Sequence, residues 1–457
     1  MTAIGLDIGT TKICAVAIDS ESGCLLGGVS RDNEFITTDK NYERCQNTDK
    51  IYGICVEMVE ELCERFAPVC AIGITGQMHG IVYLDADGRA LSNLYTWQDM
   101  TANEEYRGTT YAANLQSLTG YKAAAGFGCS TYYAHNLKGE VPSGTASICT
   151  VHDYVGMKLC NNTKPIMHTS DAASFGLFNN DTLAFDLTAA KNAGLDPDVF
   201  PDVCAGSEII GKYNGIPVSV AIGDNQASFI GSVSDMENSV LVNIGTGSQI
   251  SFLTTDKTEV RGTELRPCHN DSFLRVGSSL CGGRAFAKAE EFFRQSAKML
   301  GLEIKSAYPF IDEYLKACAI PENPLDVSTC FDGTRDEPEK RGYIKNIGLD
   351  NFTPAHILHG VMQGIVNELK SMYDPCNVSH TKLVGSGNGI RNNSSLAARF
   401  TDTFDMPLSI PSHKEEAAFG AVLYALTACG KFDTLAEAQK LIKYSASVAK
   451  IGIPLKK

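Results

Sequence analysis

One aspartate occupies a position typical of a catalytic base. Asp224 directly follows an apolar segment, residues 216–222, and precedes a segment with helical spacing of apolar residues. An aspartate at such a point is either the N-cap of a helix or a base that faces a cleft, and the sequence leaves both interpretations open. A base here would accept the proton of a hydroxyl group that attacks a γ-phosphate. The chemistry that this position suggests is phosphoryl transfer to an alcohol.

Two glycine- and threonine-containing turns are candidates for phosphate binding. Asp7 ends an apolar segment and is followed by Ile-Gly-Thr-Thr-Lys, in which Gly9 allows close approach of a phosphate and Thr10, Thr11 and Lys12 supply donors. A carboxylate beside such a turn can hold Mg²⁺ through water, so we expect Asp7 and Asp224 to place the metal. The alternative is an ordinary hairpin with an exposed aspartate. A second Ile-Gly-Thr turn, with Gly245 and Thr246, lies about half a chain further on.

A third glycine-rich turn is a candidate for the nucleoside. Residues 385–389 read Gly-Ser-Gly-Asn-Gly and precede a helical segment that begins near Asn392. Such turns are common, and an ordinary loop is an equal alternative. No GxxxxGK[ST] sequence is present, which disfavours a P-loop enzyme. The predicted ATP contacts are Thr10, Thr11, Lys12, Gly245, Thr246, Gly283, Gly385, Gly387, Asn388 and Asn392.

Two further segments suit a sugar. Gly-Gln-Met-His-Gly, residues 76–80, follows an apolar segment, and residues 96–99 contain the only tryptophan. Sugars are recognised by hydrogen-bonding groups beside an aromatic face. The predicted substrate contacts are Gln77, Met78, His79, Trp97, Asp99 and Asn225. Packing in an ordinary core is the alternative for His79 and Trp97.

The elements that must position these residues follow from the apolar patterns. Residues 3–17 and 240–252 each predict a β-hairpin with a Gly-Thr tip, and this repetition indicates two related domains, 1–233 and 234–457. Residues 69–74 and 216–222 predict buried strands. Helices are predicted over 49–65, 285–300, 354–373 and 415–429, with Asp49 and Thr353 as N-caps.

Composition narrows the class of protein. The 457 residues carry a net charge of −14, which argues against a general nucleic-acid binder. The 16 cysteines are scattered through apolar segments and predict buried free thiols. No apolar run is long enough to predict a membrane span, and the start resembles no secretory signal, so a cytoplasmic location is expected. A homodimer is an open expectation.

The ordered set of these motifs resembles the FGGY carbohydrate kinases, the family that includes xylulokinase, glycerol kinase and sedoheptulokinase. The resemblance covers nearly the whole chain. It runs through residues 7–11, 76–80, 97–99, 223–225, 245–247, 331–335 and 415–421. It implies an α/β fold of two actin-like, ribonuclease H-like domains with an interdomain catalytic cleft.

The resemblance also implies roles for individual residues. Asp224 would be the base, Asp7 would help to place the metal, and Met78 and His79 would touch a ketose. MgATP would be held mostly by the second half of the chain and the sugar mostly by the first half. Residues 96–99, 126–131, 151–155 and 171–176 resemble the sedoheptulokinase branch more than the xylulokinase branch, so sedoheptulose is the expected substrate. The alternatives are a pentulose kinase and a non-catalytic sugar or nucleotide sensor.

Overall fold

The structure, a computed structural model, describes residues 1–448 except the side chains of Ala446 and Ser447. Its backbone divides into two units. Unit 1 comprises residues 1–234, 266–273 and 415–442, and unit 2 comprises residues 235–265, 274–414 and 443–448. The single cut expected between 233 and 234 therefore does not describe the chain, because two later segments pack with the first unit.

The helices and strands of the described residues are as follows. The strands up to residue 223 are β1 Thr2–Ile8, β2 Lys12–Asp19, β3 Leu25–Asp32, β4 Phe35–Ile36, β5 Cys45–Gln46, β6 Val69–Gly76, β7 Val82–Leu84, β8 Leu94–Tyr95, β9 Glu105–Tyr106, β10 Thr109–Thr110, β11 Ser147–Cys149, β12 Ile166–His168, β13 Phe178–Asn179, β14 Ala184–Phe185, β15 Asp202–Cys204, β16 Ile209–Tyr213, β17 Ile216–Ser219 and β18 Ile222–Gly223. The later strands are β19 Ser239–Ile244, β20 Ser248–Thr254, β21 Thr263–His269, β22 Ser272–Ser279, β23 Asp326–Ser328, β24 Tyr343–Lys345, β25 Lys382–Ser386, β26 Leu408–Pro411 and β27 Tyr444–Val448. The α-helices are α1 Thr48–Arg65, α2 Tyr111–Thr119, α3 Gly128–Lys138, α4 Val151–Leu159, α5 Thr169–Phe175, α6 Leu187–Asn192, α7 Asp224–Ser232, α8 Gly282–Met299, α9 Tyr308–Ala317, α10 Pro354–Tyr373, α11 Asn388–Arg391, α12 Ser394–Phe404, α13 Glu416–Ala428 and α14 Leu435–Ala438.

The main sheets of the two units repeat one strand order. In unit 1 the order is β3-β2-β1-β6-β17, and in unit 2 it is β22-β20-β19-β25-β26. In both, an antiparallel hairpin is followed by a strand that pairs in parallel with the hairpin's first strand. The repetition predicted from the two Gly-Thr hairpins is confirmed at the level of topology.

Glycines let α13 lie directly on the sheet of unit 1. A Cβ at Gly5 of β1 would lie 2.0 Å from the carbonyl oxygen of Ala418, and one at Gly73 of β6 would lie 1.9 Å from that of Ala421. No side chain fits in this space, so the two glycines permit backbone contact between helix and sheet. This contact explains why residues 415–442 belong to unit 1. An apolar cluster that includes Ile4, Ile72 and Val155 forms another part of the core of this unit.

Helix ends follow their capping residues. Thr353 caps α10 as predicted, because its hydroxyl accepts a hydrogen bond from the backbone N–H of His356. The N-cap of α1 is Asn47 and not the predicted Asp49, which lies inside the first turn. No helix among residues 1–448 has both the length and the apolar character needed to cross a membrane.

Candidate active site

Asp224 is the first residue of α7, at the edge of the sheet of unit 1. The preceding β18 pairs in parallel with the end of β6, with Gly223 opposite Gly76. The N-cap of α7 is Gly223, so the N-cap interpretation of Asp224 is wrong. Burial raises the pKa of Asp224, while His152, Arg266 and the backbone N–H of Asn225 lower it. The carboxyl is thus partly desolvated, in a setting that also offers positive charge.

Asp7 faces the same place from the end of β1. Its register partner on β6 is Thr75, one residue before Gly76. Burial and the negative charges of Asp224 and Glu415 raise the pKa of Asp7 to about 8. Glu415, which comes just before α13, was not among the predicted site residues. The three carboxyl groups therefore share one electrostatic environment.

The sugar-side loop contacts the start of the Asp224 helix. Met78 is buried, and its Sδ would lie 2.8 Å from a Cβ placed on Gly223. His79 has a positive φ of 78°, a conformation that is uncommon outside glycine. The structure therefore brings the predicted Met78 and His79 segment next to the predicted base.

Two residues that were not among the predicted substrate contacts, Ser174 and Phe127, hold His79. Ser174 Oγ accepts a hydrogen bond from the His79 backbone N–H at 3.1 Å, and the Ser174 carbonyl oxygen lies 2.6 Å from Nδ1. Because a carbonyl only accepts, Nδ1 carries the proton, and in the neutral ring Nε2 is the acceptor. The ring stacks on Phe127 with the centroids 4.6 Å apart. The imidazole is therefore fixed in both orientation and tautomer.

Trp97 and Asp99, two residues apart in the same segment, have different environments. The Trp97 side chain is 45% exposed, and its Nε1–H donates to Thr10 Oγ1 at 2.9 Å. Asp99 is fully buried, and its two oxygens accept from the backbone N–H groups of Arg44 and Thr101. The predicted contact of Asp99 with substrate is not supported, since the carboxylate is used to hold the backbone around Trp97.

The side chains of the first predicted phosphate turn, residues 9–12, differ in their exposure to solvent. Thr11 and Lys12 are exposed, whereas Thr10 is half-buried. The Thr10 hydroxyl, which accepts from Trp97, lies 3.4 Å from Gln77 Oε1. Gly9 allows the tight turn, because a Cβ there would lie 2.7 Å from the carbonyl oxygen of Lys12.

A buried polar cluster near Asp224 was not among the predicted site residues, although its members lie in the segments 151–155 and 171–176. His152, Asp153 and Asp171 place ligand-type atoms within 4.8 Å of one another, and all three side chains are buried. His152 Nε2 lies 2.9 Å from Asp171 Oδ1, although the alignment of the two groups does not meet hydrogen-bond geometry. Burial and Asp171 raise the pKa of Asp153 to about 8, and burial and Asp224 raise the pKa of Asp171 well above its usual value. Burial lowers the pKa of His152, and the interaction of this ring with Asp224 opposes the rise in the pKa of the Asp224 carboxyl.

Three glycine turns of unit 2 meet around the tip of its hairpin. The Gly283 N–H donates to the Gly245 carbonyl at 2.9 Å, and the Arg284 N–H donates to the Thr246 carbonyl at 3.0 Å. Gly387 has a φ of 81°, and a Cβ there would lie 2.5 Å from the carbonyl oxygen of Ile244. The structure thus brings together the predicted ATP residues Gly245, Thr246, Gly283 and Gly387.

The remaining ATP residues are not equivalent. Asn388 and Asn392 are exposed at the two ends of the short helix α11. Gly385 is buried inside β25, where a Cβ would lie 2.8 Å from the side chain of Ile390. The predicted nucleotide contact of Gly385 is therefore not supported, and core packing accounts for its lack of a side chain.

An open pocket of about 760 Å³ beside α2, lined by Met100 and Ala123 among others, includes none of the predicted site residues.

Comparison with solved structures defines the class of fold. Gluconate kinase from Lactobacillus acidophilus matches with a TM-score of 0.82 over 98% of this chain and 93% of that one, at 19% identity. Plasmodium falciparum glycerol kinase with ADP matches with a TM-score of 0.81 over 98% of this chain and 94% of that one, at 18% identity. These likenesses, with the repeated sheet order of the two units, confirm the predicted α/β fold of two actin-like domains.

The family follows from the sequence. Residues 2–241 match the model of the FGGY family of carbohydrate kinases, N-terminal domain, so the chain belongs to this family and is a carbohydrate kinase. Human sedoheptulokinase is 25% identical over 468 residues, which cover 93% of this chain and 97% of that protein. Xylulose kinase of Bacillus subtilis is 23% identical, covering 97% and 92% respectively. Membership of this family implies that the protein uses ATP to phosphorylate a carbohydrate.

Proposed function

We propose that this kinase transfers the γ-phosphoryl group of ATP to a hydroxyl of a ketose, and that the ketose is sedoheptulose, giving sedoheptulose 7-phosphate. The observation that carries the proposal is the placement of Asp224, partly desolvated at the start of α7 and beside Met78. The similarity to human sedoheptulokinase over nearly the full length of both chains supports the choice of sugar.

In this proposal the sugar packs against Trp97, whose side chain is partly exposed. The sugar hydroxyls form hydrogen bonds with Gln77, His79 and Asn225. The His79 ring, fixed by Ser174 and Phe127, offers Nε2 to a sugar hydroxyl. Asp224 accepts the proton of the attacking hydroxyl, and the charge of Arg266 favours the ionised form of the carboxyl before the reaction.

The donor set around Asp7 fits magnesium. Burial and the negative charges of Asp224 and Glu415 raise the pKa of Asp7, so a divalent cation would relieve the repulsion among these carboxyl groups. Carboxylate oxygens are ligands that Mg²⁺ prefers, and one or two suffice when water completes the shell. We therefore propose that Asp7 and Asp224 hold the ion, partly through water. The bound ion supplies charge neutralisation for the phosphate oxygens.

ATP is proposed to be held by Thr10, Thr11 and Lys12 of the first turn and by the glycine turns of unit 2. In those turns Gly245, Thr246, Gly283 and Gly387 lie around the tip of the hairpin, and the nearby Asn388 and Asn392 are exposed. Backbone N–H groups in such turns bind phosphate without basic side chains.

A pentulose is the second candidate, favoured by the 23% identity to xylulose kinase over 97% of this chain. The test is ADP release with MgATP over sedoheptulose, xylulose, ribulose, fructose and glycerol at equal concentrations. Selective turnover of sedoheptulose is the expected result. A preference for a pentulose would replace the sugar and keep the mechanism. Clear ligand-induced stabilisation without turnover of any of them would favour a sensor.

A further inference from the structure

Thr10 is the residue at which the phosphate turn meets the proposed sugar residues. Its hydroxyl accepts a hydrogen bond from Trp97 Nε1 at 2.9 Å and lies 3.4 Å from Gln77 Oε1. Since an amide oxygen only accepts, the hydroxyl is the donor toward Gln77. A single side chain at the tip of the hairpin is thus bonded to two residues of the proposed sugar site.

A buried glutamine closes these bonds into a ring. Gln46, on β5, is fully buried, and its Nε2 donates to the Thr10 carbonyl at 2.7 Å. Its Oε1 accepts from Gln77 Nε2 at 2.8 Å. The Thr10 hydroxyl, the Gln77 amide, the Gln46 amide and the Thr10 carbonyl therefore form one closed circuit of hydrogen bonds.

The direction of this circuit is fixed by chemistry. The Thr10 carbonyl can only accept, so it must face the amide nitrogen of Gln46, which leaves the oxygen of Gln46 for Gln77. Asn33 adds a brace, because its Nδ2 lies 2.9 Å from the Gly9 carbonyl and 3.3 Å from Gln46 Oε1. Buried networks of this kind are stiff because each lost bond leaves an unpaired polar group.

We propose that Gln46 is a positioning residue that couples ketose binding to nucleotide binding. A sugar that bonds to Gln77 or packs on Trp97 orders the circuit, and the circuit orders the Thr10 turn for phosphate. Coupling between sites is reciprocal, so ATP tightens sugar binding by the same factor. This inference rests on the proposed function, since it requires that a ketose and ATP both bind.

The test is an initial-rate matrix over ketose and MgATP, which yields the factor by which each substrate changes the apparent affinity for the other. The wild type is expected to show a factor of about 5 or more, within the usual range of coupling. Gln46→Met preserves side-chain length but lacks both the donor and the acceptor, and its factor should fall to between about 1 and 2 in the same range of estimate.

A matched control comes from another buried glutamine of unit 1. Gln439 is also buried, and its Nε2 donates to the carbonyls of Ile230 and Val233. Gln439→Met removes comparable buried bonds outside the circuit, so it should lower stability and leave the coupling factor unchanged. If Gln46→Met does not fold, Gln46→Glu replaces it, because the carboxylate retains an acceptor for Gln77 and loses the donor to Thr10.

The outcomes separate the inference from the function. Turnover with an unchanged factor in the Gln46 variants, or an equal loss in Gln439→Met, would overturn the role of Gln46 and leave the kinase proposal standing. A wild-type factor near 1 would do the same. No turnover of any ketose by the wild type would remove both the proposed function and the coupling.

Discussion

The crossing of α7 and α13 gives a sharp test of the structure around Asp224. A Cβ at Gly420 of α13 would lie 1.9 Å from the Ala227 carbonyl oxygen, and one at Gly231 of α7 would lie 2.0 Å from the Glu416 carbonyl oxygen. Both obstacles are backbone atoms, which cannot rotate away as a side chain can. The two helices thus approach each other through their glycines, and α7 begins with Asp224.

The structure gives the size of the effect of Gly420→Ala. Ordinary contacts of a Cβ start at 3.4 Å. The two helices would therefore have to move apart until the distance of 1.9 Å between the new Cβ and the Ala227 carbonyl oxygen reaches that value. In an open helix the change from Gly to Ala stabilises by about 1 kcal/mol. Overpacking of a core costs typically about 1–3 kcal/mol and occasionally more. Because the obstacle is backbone, we take the upper end of this cost, about 3 kcal/mol, and subtract the helix gain, so Gly420→Ala should lower the free energy of unfolding by about 2 kcal/mol. It should also lower kcat, because a displaced base costs up to about 10²-fold.

The same substitution in open space is the control. Gly53 lies within α1, and a Cβ there would meet nothing within 4 Å. Gly53→Ala should therefore raise the free energy of unfolding by about 0.5–1 kcal/mol. Urea denaturation of the two variants and the wild type measures both effects. Stabilisation by Gly420→Ala of the size seen for Gly53→Ala would refute the close crossing of the helices.

Three further predictions concern charge and hydrogen bonding. A base must be ionised to act, and the pKa of Asp224 is raised above its usual value of 3.8. As the pH is lowered, kcat/KM should therefore begin to fall before the pH reaches 3.8. A profile that stays flat down to pH 3.8 would contradict this prediction. The pKa of Asp153 is raised from 3.8 to about 8, so the stability that its protonated form contributes is present below pH 3.8 and is lost as the pH rises toward 8. Asp153→Asn should therefore flatten the pH dependence of the free energy of unfolding between these two values. An unchanged pH dependence in thermal melts of the variant would contradict this prediction. Trp97→Phe retains an aromatic face and loses the donor to Thr10, so the KM for the ketose should rise about 2- to 10-fold, as expected for one hydrogen bond; an unchanged KM would exclude that contribution.

Local sequence signals were sufficient for the hairpins and for several helices. The predicted helix over 354–373 coincides with α10, because Thr353 and Pro354 mark its start and its apolar spacing is regular. The predicted strand over 216–222 is interrupted: β17 ends at Ser219 and β18 begins at Ile222. An apolar run does not reveal such a break, since Val220 and Ala221 are buried in either case.

Tertiary packing accounts for what the sequence could not predict. The return of residues 415–442 to unit 1 depends on the glycines of β1 and β6, whose purpose appears only when α13 lies on them. Asp99 and Gly385 belong to motifs that predict ligand contacts, but both residues are buried. Asp99 accepts hydrogen bonds from the backbone, and Gly385 packs against Ile390. Gln46 carried no signal, because a lone glutamine in a polar segment resembles any solvated residue.

The most direct test of the account is the turnover of Asp224→Asn with MgATP and the ketose that the wild type prefers. The substitution retains the size of the side chain and removes the base, so kcat should fall by about 10²- to 10⁴-fold. Stabilisation of the variant by MgATP in thermal melts should remain, which would separate chemistry from binding. A kcat within about tenfold of the wild type, below the usual contribution of a general base, would contradict the role of Asp224 and with it the proposed mechanism.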